Sequence, residues 1–173
     1  MKYFLLALGN PGAEYENTRH NVGRMALENF EHPKVKLIES FEMMNNSGKA
    51  LKPYLKSKKD IEGLIVIHDD LDLPLRTIKI SFNRGAGGHR GVGSVIKAVK
   101  SEAFTRLRIG ICPTTPSGKL KKPTGDEAVV KFILGKFKPA ELAELKKVFK
   151  KVCEAITLIV DEGREKAMGE FNK

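Results

Sequence analysis

The sequence predicts an α/β fold: a single three-layer domain over residues 1–173, with a twisted, mixed and mostly parallel sheet flanked by helices. Short apolar runs alternate along the chain with segments whose apolar residues recur at helical spacing. Such alternation is typical of strands joined by crossover helices. A chain of 173 residues has a usual length for one domain, and it contains neither an internal repeat nor a domain linker.

The first crossover lies at the start of the chain. The apolar run Tyr3–Ala7 predicts a buried strand, and a turn rich in glycine and proline follows, with Asn10 inside it. Tyr15 and His20 come next, before a helical pattern over residues 22–30. Ligands of α/β folds bind at the carboxyl ends of strands, so a site is expected here. A surface histidine in a polar loop would explain His20 equally well by itself.

Two further elements are expected after the first helix. The β-branched run at residues 35–38 predicts the second strand. Ser47 can act as a helix N-cap, and apolar residues recur at helical spacing over residues 50–55, so a helix is predicted after Ser47, with a kink at Pro53. Capping and turn formation alone would explain Asn45, which precedes this helix.

The clearest buried strand is the apolar run at residues 64–67. His68 and three carboxylates follow it, at Asp69, Asp70 and Asp72. The further oxygen ligands and the glycine of a calcium loop are missing. We therefore expect one of these carboxylates to orient a histidine, and we expect no metal.

A half-exposed strand is predicted at residues 76–82, where apolar and polar residues alternate. The glycine-rich loop over residues 85–91 then opens a helix, a geometry that can hold phosphate on backbone N–H groups. The loop superficially resembles a dinucleotide fingerprint, but Arg90 stands where the third glycine belongs, and the loop does not match a Walker motif.

The last third of the chain completes the pattern. Alternating apolar residues predict a strand at 107–111, with arginines on its other face. Residues 113–125 form a lysine-containing loop of about lid length. A short helix is expected at residues 128–134, and a long final helix begins at Pro139, because proline is tolerated at a helix start.

Charge and cysteine content restrict the function classes. Lysine and arginine number 31 against 21 acidic residues, a net charge of +10 that favours a polyanionic partner, nucleic acid before an anionic membrane. No apolar run is long enough to span a bilayer, and the N-terminus shows no secretory signal. Cys112 and Cys153 fit neither a disulfide framework nor a zinc knuckle, so a reducing cytoplasm is the simplest location.

Seven features occur in one order with consistent spacing: GNPG, Tyr15, TRHN, MNNSGKAL, HDDLDLP, GAGGHRG and RLRIGI. Together they resemble the bacterial-type peptidyl-tRNA hydrolase family, from Tyr3 to about Phe137. The resemblance implies a cytoplasmic, typically monomeric enzyme without metal or cofactor. Such an enzyme hydrolyses the ester between a peptide and the 3′ ribose of tRNA, so the expected partner is peptidyl-tRNA, held by its acceptor end, and not a membrane.

The resemblance also implies catalytic roles. His20 is the general base, Asp69 its orienting partner, and Asn10 and Asn45 are the amides around the scissile ester and the peptide. The chemistry is reasonable for these residue types. A histidine can accept a proton from attacking water, a carboxylate can fix its tautomer, and an amide can donate to the developing oxyanion.

The remaining positions carried over by the resemblance concern binding. Met44 and Tyr15 are walls of the site, and Lys79 and Arg108 contact a tRNA phosphate. Arg90 departs from the family, which usually has asparagine there to help position water or the acceptor end. Arginine cannot accept a hydrogen bond, so that role is lost, moved or replaced by a phosphate contact.

Two other functions remain open at this level. A non-hydrolytic homologue that binds structured RNA, as chloroplast intron-splicing relatives of the family do, is favoured by Arg90, whereas the retained catalytic and amide residues argue against it. A dinucleotide-dependent oxidoreductase is suggested only by the loop at residues 85–91. A serine hydrolase of the nucleophile-elbow type is excluded, because the chain has no G-x-S-x-G.

Overall fold

A computed structural model describes residues 1–173. Five strands form one sheet in the order β2-β1-β3-β5-β4. The strands are β1 (Tyr3–Ala7), β2 (Val35–Ile38), β3 (Leu64–Pro74), β4 (Ile78–Phe82) and β5 (Thr105–Cys112). Strands β2, β1, β3 and β5 are parallel, and β4 runs antiparallel to β5. The mixed, mostly parallel sheet predicted from the sequence is confirmed.

Helices cover both faces of this sheet, which gives the predicted three layers. They are α1 (Val22–Met25), α2 (Lys58–Glu62), α3 (Arg90–Val99), α4 (Asp126–Ile133), α5 (Pro139–Glu162) and α6 (Arg164–Phe171), with 3-10 helices at Ala13–Tyr15, Arg19–Asn21 and Met44–Leu51. Successive residues of β1 enter opposite cores, because strand side chains alternate: Leu5 packs with α1 and α5, whereas Phe4 and Leu6 pack with α3.

Helix α5 is the longest element, and its apolar stripe explains its position. Leu145, Val152, Ile156 and Ile159 recur at helical spacing and are buried against the sheet. The helix ends at Gly163, whose φ of 98° turns the chain into α6. No helix combines the length and apolar character that a membrane crossing requires.

The prediction of a helix that begins after Ser47 is wrong. Ser47 lies inside the 3-10 helix Met44–Leu51, where it is buried and its Oγ donates to the carbonyl of Met44 at 2.8 Å. This segment packs closely on α3: a Cβ on Gly48 would lie 2.3 Å from the carbonyl oxygen of Ser94. Ser94 Oγ in turn accepts the N–H of Gly48 at 3.0 Å. Packing against α3, which the local pattern does not contain, therefore decides this conformation.

Other element bounds also differ from the predictions. Strand β3 continues to Pro74, so Asp69, Asp70 and Asp72 lie within the strand and not beyond it. Its pairing with β5 persists as far as Asp70↔Gly110 and is irregular between Asp70 and Pro74. Helix α1 ends at Met25, and α2 and α6 were not predicted.

The loop predicted at residues 113–125 folds back on itself. Thr114 and Leu120 form an antiparallel bridge, and the N–H of Thr115 donates to the carbonyl of Lys119 at 2.8 Å. Lys122 forms an ion pair with Asp72 of β3. The loop is therefore attached to the strand that carries Asp69.

The C-terminal segment partly covers the edge of the sheet formed by β4. Strand β4 is an edge strand, and such strands expose unpaired backbone groups. Asn172 pairs with both backbone groups of Ile80: its Oδ1 accepts the N–H at 2.7 Å and its Nδ2 donates to the carbonyl at 2.9 Å. One amide side chain thus imitates a neighbouring strand and fixes α6 against β4.

We predict that Asn172→Ala lowers the free energy of unfolding by about 1–3 kcal/mol, because it leaves the backbone N–H and carbonyl of Ile80 without partners. Urea unfolding measures the change. Lys173→Ala, at the exposed adjacent position, is the control. Equal changes in the two variants would contradict the assigned role of Asn172.

Candidate active site

A cavity of about 1290 Å³ lies at the carboxyl edge of the sheet. Asn10 follows β1, Asp69 lies near the end of the parallel neighbour β3, and His20 is in the 3-10 helix Arg19–Asn21. All three line the cavity, together with Met44 and Asn45. The structure therefore brings together five of the residues selected from the sequence.

The segments around His20 are held on both sides. Asn21 and Asn10 exchange two hydrogen bonds: the N–H of Asn10 donates to Asn21 Oδ1 at 2.8 Å, and Asn21 Nδ2 donates to the carbonyl of Asn10 at 2.9 Å. Arg19 donates to the carbonyl of Lys136 at 3.2 Å and pairs with Glu141 of α5 at 3.1 Å. The backbone of His20 is thereby tied to the turn after β1 and to the start of α5.

Asp69 accepts hydrogen bonds from two imidazoles. His20 Nδ1 lies 2.9 and 3.0 Å from its carboxylate oxygens, and His89 Nε2 lies 2.8 Å from Oδ1. The backbone N–H of Val92 donates to His89 Nδ1 at 3.2 Å, so the proton of neutral His89 is on Nε2. Both imidazoles therefore donate to Asp69, which leaves His20 Nε2 as an acceptor.

The charge state of Asp69 follows from this arrangement. Its burial, at 3% exposed, would raise the pKa of the carboxyl group. The positive potential and hydrogen bonds of His89 and His20 act in the opposite direction and hold the pKa well below its usual range. Asp69 is accordingly a carboxylate near neutral pH, and it favours the protonated form of an imidazole that accepts a proton.

The amide oxygen of Asn10 is hydrogen-bonded within the protein, whereas its amide nitrogen is not. Its Oδ1 accepts the backbone N–H of Met44 at 2.7 Å, which orients the amide. No protein group accepts from its Nδ2, and Asn10 lines the cavity. An amide N–H held in this way can donate to a carbonyl oxygen of a bound ester.

His89 was not selected from the sequence, although it completes the hydrogen bonds to Asp69. It caps the N-terminus of α3 through the bond from Val92. A signal was present: a histidine after a glycine pair and before a helix start has the N-cap position.

The predicted binding residues are distributed unevenly. Lys79, Arg90 and Arg108 line the cavity, whereas Tyr15 is not among its lining residues. Arg108 is already bonded, because its Nε lies 2.7 Å from Asp70 Oδ2. Lys79 and Arg90 are exposed and have no ion pair in the structure.

Metal and cofactor binding can be considered from the same contacts. His20, Asp69 and His89 are the one cluster whose ligand atoms could hold a metal, since they lie within 4.8 Å of one another. A metal would have to displace both imidazole protons that bind Asp69, so the expectation of a metal-free site stays a prediction. The glycine-rich loop follows β4, which is antiparallel to β5, so it does not belong to the βαβ unit of a dinucleotide fingerprint.

His68 is a further buried histidine beside this cluster. It is 2% exposed, and its Nδ1 donates to the carbonyl of Asp69 at 2.7 Å, whereas its Nε2 has no partner. Burial, assisted by the neighbouring His89, holds the pKa of His68 well below its usual range. His68 is therefore neutral, and its ring fixes the backbone carbonyl of Asp69.

Comparison with known proteins identifies the family to which the chain belongs. A model of the family described as peptidyl-tRNA hydrolase matches residues 4–35 and 28–173. The chain belongs to this family. The two matches overlap at residues 28–35, between the end of α1 and the start of β2.

Relatives that carry the peptidyl-tRNA hydrolase name match almost the whole chain. The protein of Fervidobacterium nodosum is 38% identical, with 97% of this chain and 94% of the relative covered. The protein of Aquifex aeolicus is 37% identical, with 98% and 95% covered. The crystal structure of peptidyl-tRNA hydrolase from Acinetobacter baumannii superposes with a TM-score of 0.82 at 28% identity and covers 99% of this chain and 94% of its own. Nothing in these comparisons supports a non-hydrolytic RNA-binding homologue.

We predict that stability falls as the pH drops below about 6.5, the usual pKa of a histidine in an unfolded chain. In that range the unfolded chain binds a proton at His68 that the folded protein does not, which removes up to about 1.4 kcal/mol per pH unit. The glutamine of His68→Gln does not titrate, so this part of the dependence of the free energy of unfolding on pH disappears. Urea unfolding between pH 5 and 8 measures the free energy of unfolding of the wild type and of His68→Gln. The difference between the two proteins above pH 7.5 is the reference. Parallel slopes below pH 6.5 would contradict the prediction.

Proposed function

We propose that the protein hydrolyses the ester bond between a peptide, or an N-blocked amino acid, and the 3′ ribose of peptidyl-tRNA, releasing free tRNA for recycling. The observation that carries the proposal is the unpartnered Nε2 of His20, on a ring oriented by Asp69 and beside the free amide of Asn10, in a chain of the peptidyl-tRNA hydrolase family.

The proposed reaction uses water as the nucleophile. His20 Nε2 takes a proton as the water oxygen bonds to the ester carbon, and Asp69 stabilises the resulting imidazolium. Asn10 Nδ2 donates to the oxygen that becomes negative. When the bond from carbon to the 3′ oxygen breaks, His20 returns its proton to that oxygen, so the products are a peptide acid and intact tRNA.

The groups around these three residues suit the two ends of the substrate. We assign Met44 and Asn45 to the peptide side, because both line the cavity next to Asn10. Lys79, Arg108 and Arg90 are assigned to phosphates of the acceptor end. For Arg90, a cation at the first residue of α3, a phosphate contact replaces the hydrogen-bonding role of the usual asparagine.

The wider properties are proposals as well. We propose that residues 1–173 form one domain, because the two apolar cores share a single sheet. A monomer in the cytoplasm that acts in ribosome rescue, without metal or cofactor, agrees with the family resemblance and with the two free cysteines.

We expect His20→Ala to reduce single-turnover hydrolysis of N-blocked aminoacyl-tRNA by ~10²–10⁴-fold while tRNA binding is retained, since the base is lost but Lys79, Arg90 and Arg108 remain. His32→Ala is the matched control, because His32 lies against Asp161 of α5, away from the cavity. Turnover of His20→Ala near that of the wild type would refute the assignment of the general base.

We expect Asn10→Asp to lower kcat by ~10²–10³-fold, because the carboxylate still accepts the N–H of Met44 but no longer donates to the oxyanion. Asn46→Asp introduces the same charge in the adjacent 3-10 helix without touching the cavity lining, and it controls for electrostatic effects. If both variants lose activity equally, charge and not donation is responsible.

A further inference from the structure

The cationic wall of the cavity is built on the last two strands of the sheet. In the register of β5 and β4, Arg108 lies opposite Lys79, and Arg106 lies opposite Ser81. All four side chains line the cavity. The opposite face of β5 carries the apolar residues of the core, so both arginines lie on the cavity side of the strand.

The two arginines differ in their partners. Arg108 binds Asp70 through Nε at 2.7 Å and Ser81 through Nη1 at 3.3 Å. Arg106 is more deeply buried, at 7% exposed, yet its guanidinium makes no hydrogen bond and no ion pair within the protein, and its nitrogens keep access to the cavity. A buried cation without an anion is unfavourable, and natural proteins pair such groups or use them to bind a ligand.

The charges near Arg106 do not neutralise it. Burial, and then the positive charge of Arg108, lower the pKa of its guanidinium, and Arg84 acts in the same direction. Asp70 and Glu102 act oppositely, but neither is within ion-pair distance of Arg106. Positive potential therefore remains at this end of the cavity.

We infer that Arg106, with Arg84 at the rim, binds a phosphate of the tRNA acceptor strand at a site separate from Arg108. This inference rests on the proposed function. A guanidinium presents two parallel N–H donors that match two phosphate oxygens, and no protein acceptor occupies those of Arg106. Arg84 is exposed on the loop after β4 and has no ion pair, so it is free to reach the same anion.

A phosphate fits this position better than a carboxylate of the peptide. The surrounding wall also carries Lys79, Arg90 and Arg108, and such a run of cations matches the evenly spaced charges of a nucleic acid backbone. The site thus extends the substrate contact beyond the residues implied by the family resemblance, which include Arg108 but not Arg106.

The test measures the hydrolysis of two substrates by each of four proteins: the wild type, Arg106→Gln, Arg106→Lys and Lys97→Gln. One substrate is N-blocked aminoacyl-tRNA, and the other is the same amino acid esterified to adenosine, which contains no phosphate. For Arg106→Gln we expect KM for the tRNA substrate to rise roughly tenfold, and the loss of kcat/KM on the adenosine ester to be much smaller. Lys97 is exposed on α3 outside the cavity, so Lys97→Gln keeps the wild-type values.

Salt dependence provides the second readout. The slope of log kcat/KM against log salt concentration is expected to decrease by about 1 in Arg106→Gln and to recover in Arg106→Lys, because one phosphate contact is lost and then restored. An equal loss on both substrates, or an unchanged slope, would overturn the inference.

If thermal unfolding shows that Arg106→Gln does not fold, the exposed Arg84→Gln and the charge-conserving Arg106→Lys carry the test, and an unchanged slope in Arg84→Gln overturns the shared site. If the wild type cleaves neither substrate, the proposed function fails, and the salt slope of direct tRNA binding by the same variants still decides whether Arg106 contacts phosphate.

Discussion

The site depends on one carboxylate that accepts hydrogen bonds from two imidazoles. Asp69 is almost fully buried, and it remains ionised because His20 and His89 both donate to it. The same two bonds determine which nitrogen of each ring carries the proton. Without this carboxylate the Nδ1 proton of His20 would have no fixed partner, and the lone pair on Nε2 would not be held at the cavity. The electrostatic and the geometric requirements of the site are thus met by a single interaction.

The fold supplies that interaction through strand order. Strands β1 and β3 are parallel neighbours, so the turn after β1 and the end of β3 meet at one edge of the sheet. The segment of His20 returns to this edge because Asn21 binds the backbone of Asn10 and Arg19 binds the start of α5. The third element, α3, brings His89 to the same carboxylate through its N-terminus. The turn after β1, the segment of His20 and the N-terminus of α3 therefore meet at Asp69, although they are far from it in the sequence.

Electrostatics divide the cavity into two regions. The anion at Asp69 is enclosed by imidazoles, whereas the wall formed by β4 and β5 carries cations on one face and apolar core residues on the other. Arg108 is neutralised by Asp70, but Arg106 is not paired. This separation allows an uncharged ester to lie near His20 and a polyanion to lie along the wall, without either charge cluster cancelling the other.

The sequence by itself determined the α/β class, the five strands and the selection of Asn10, His20 and Asp69 as candidate site residues, because period-2 and period-3.6 apolar patterns and ordered motifs are local properties of the chain. Tertiary structure alone decided the 3-10 conformation at Ser47, the extension of β3 through Asp69, and the role of His89. Each of these depends on a partner distant in sequence: α3, β5 or the Asp69 carboxylate. The contrast between Arg106 and Arg108 has the same origin. Their alternation is visible in the sequence, but which arginine meets an acid is set by the position of Asp70 on a neighbouring strand.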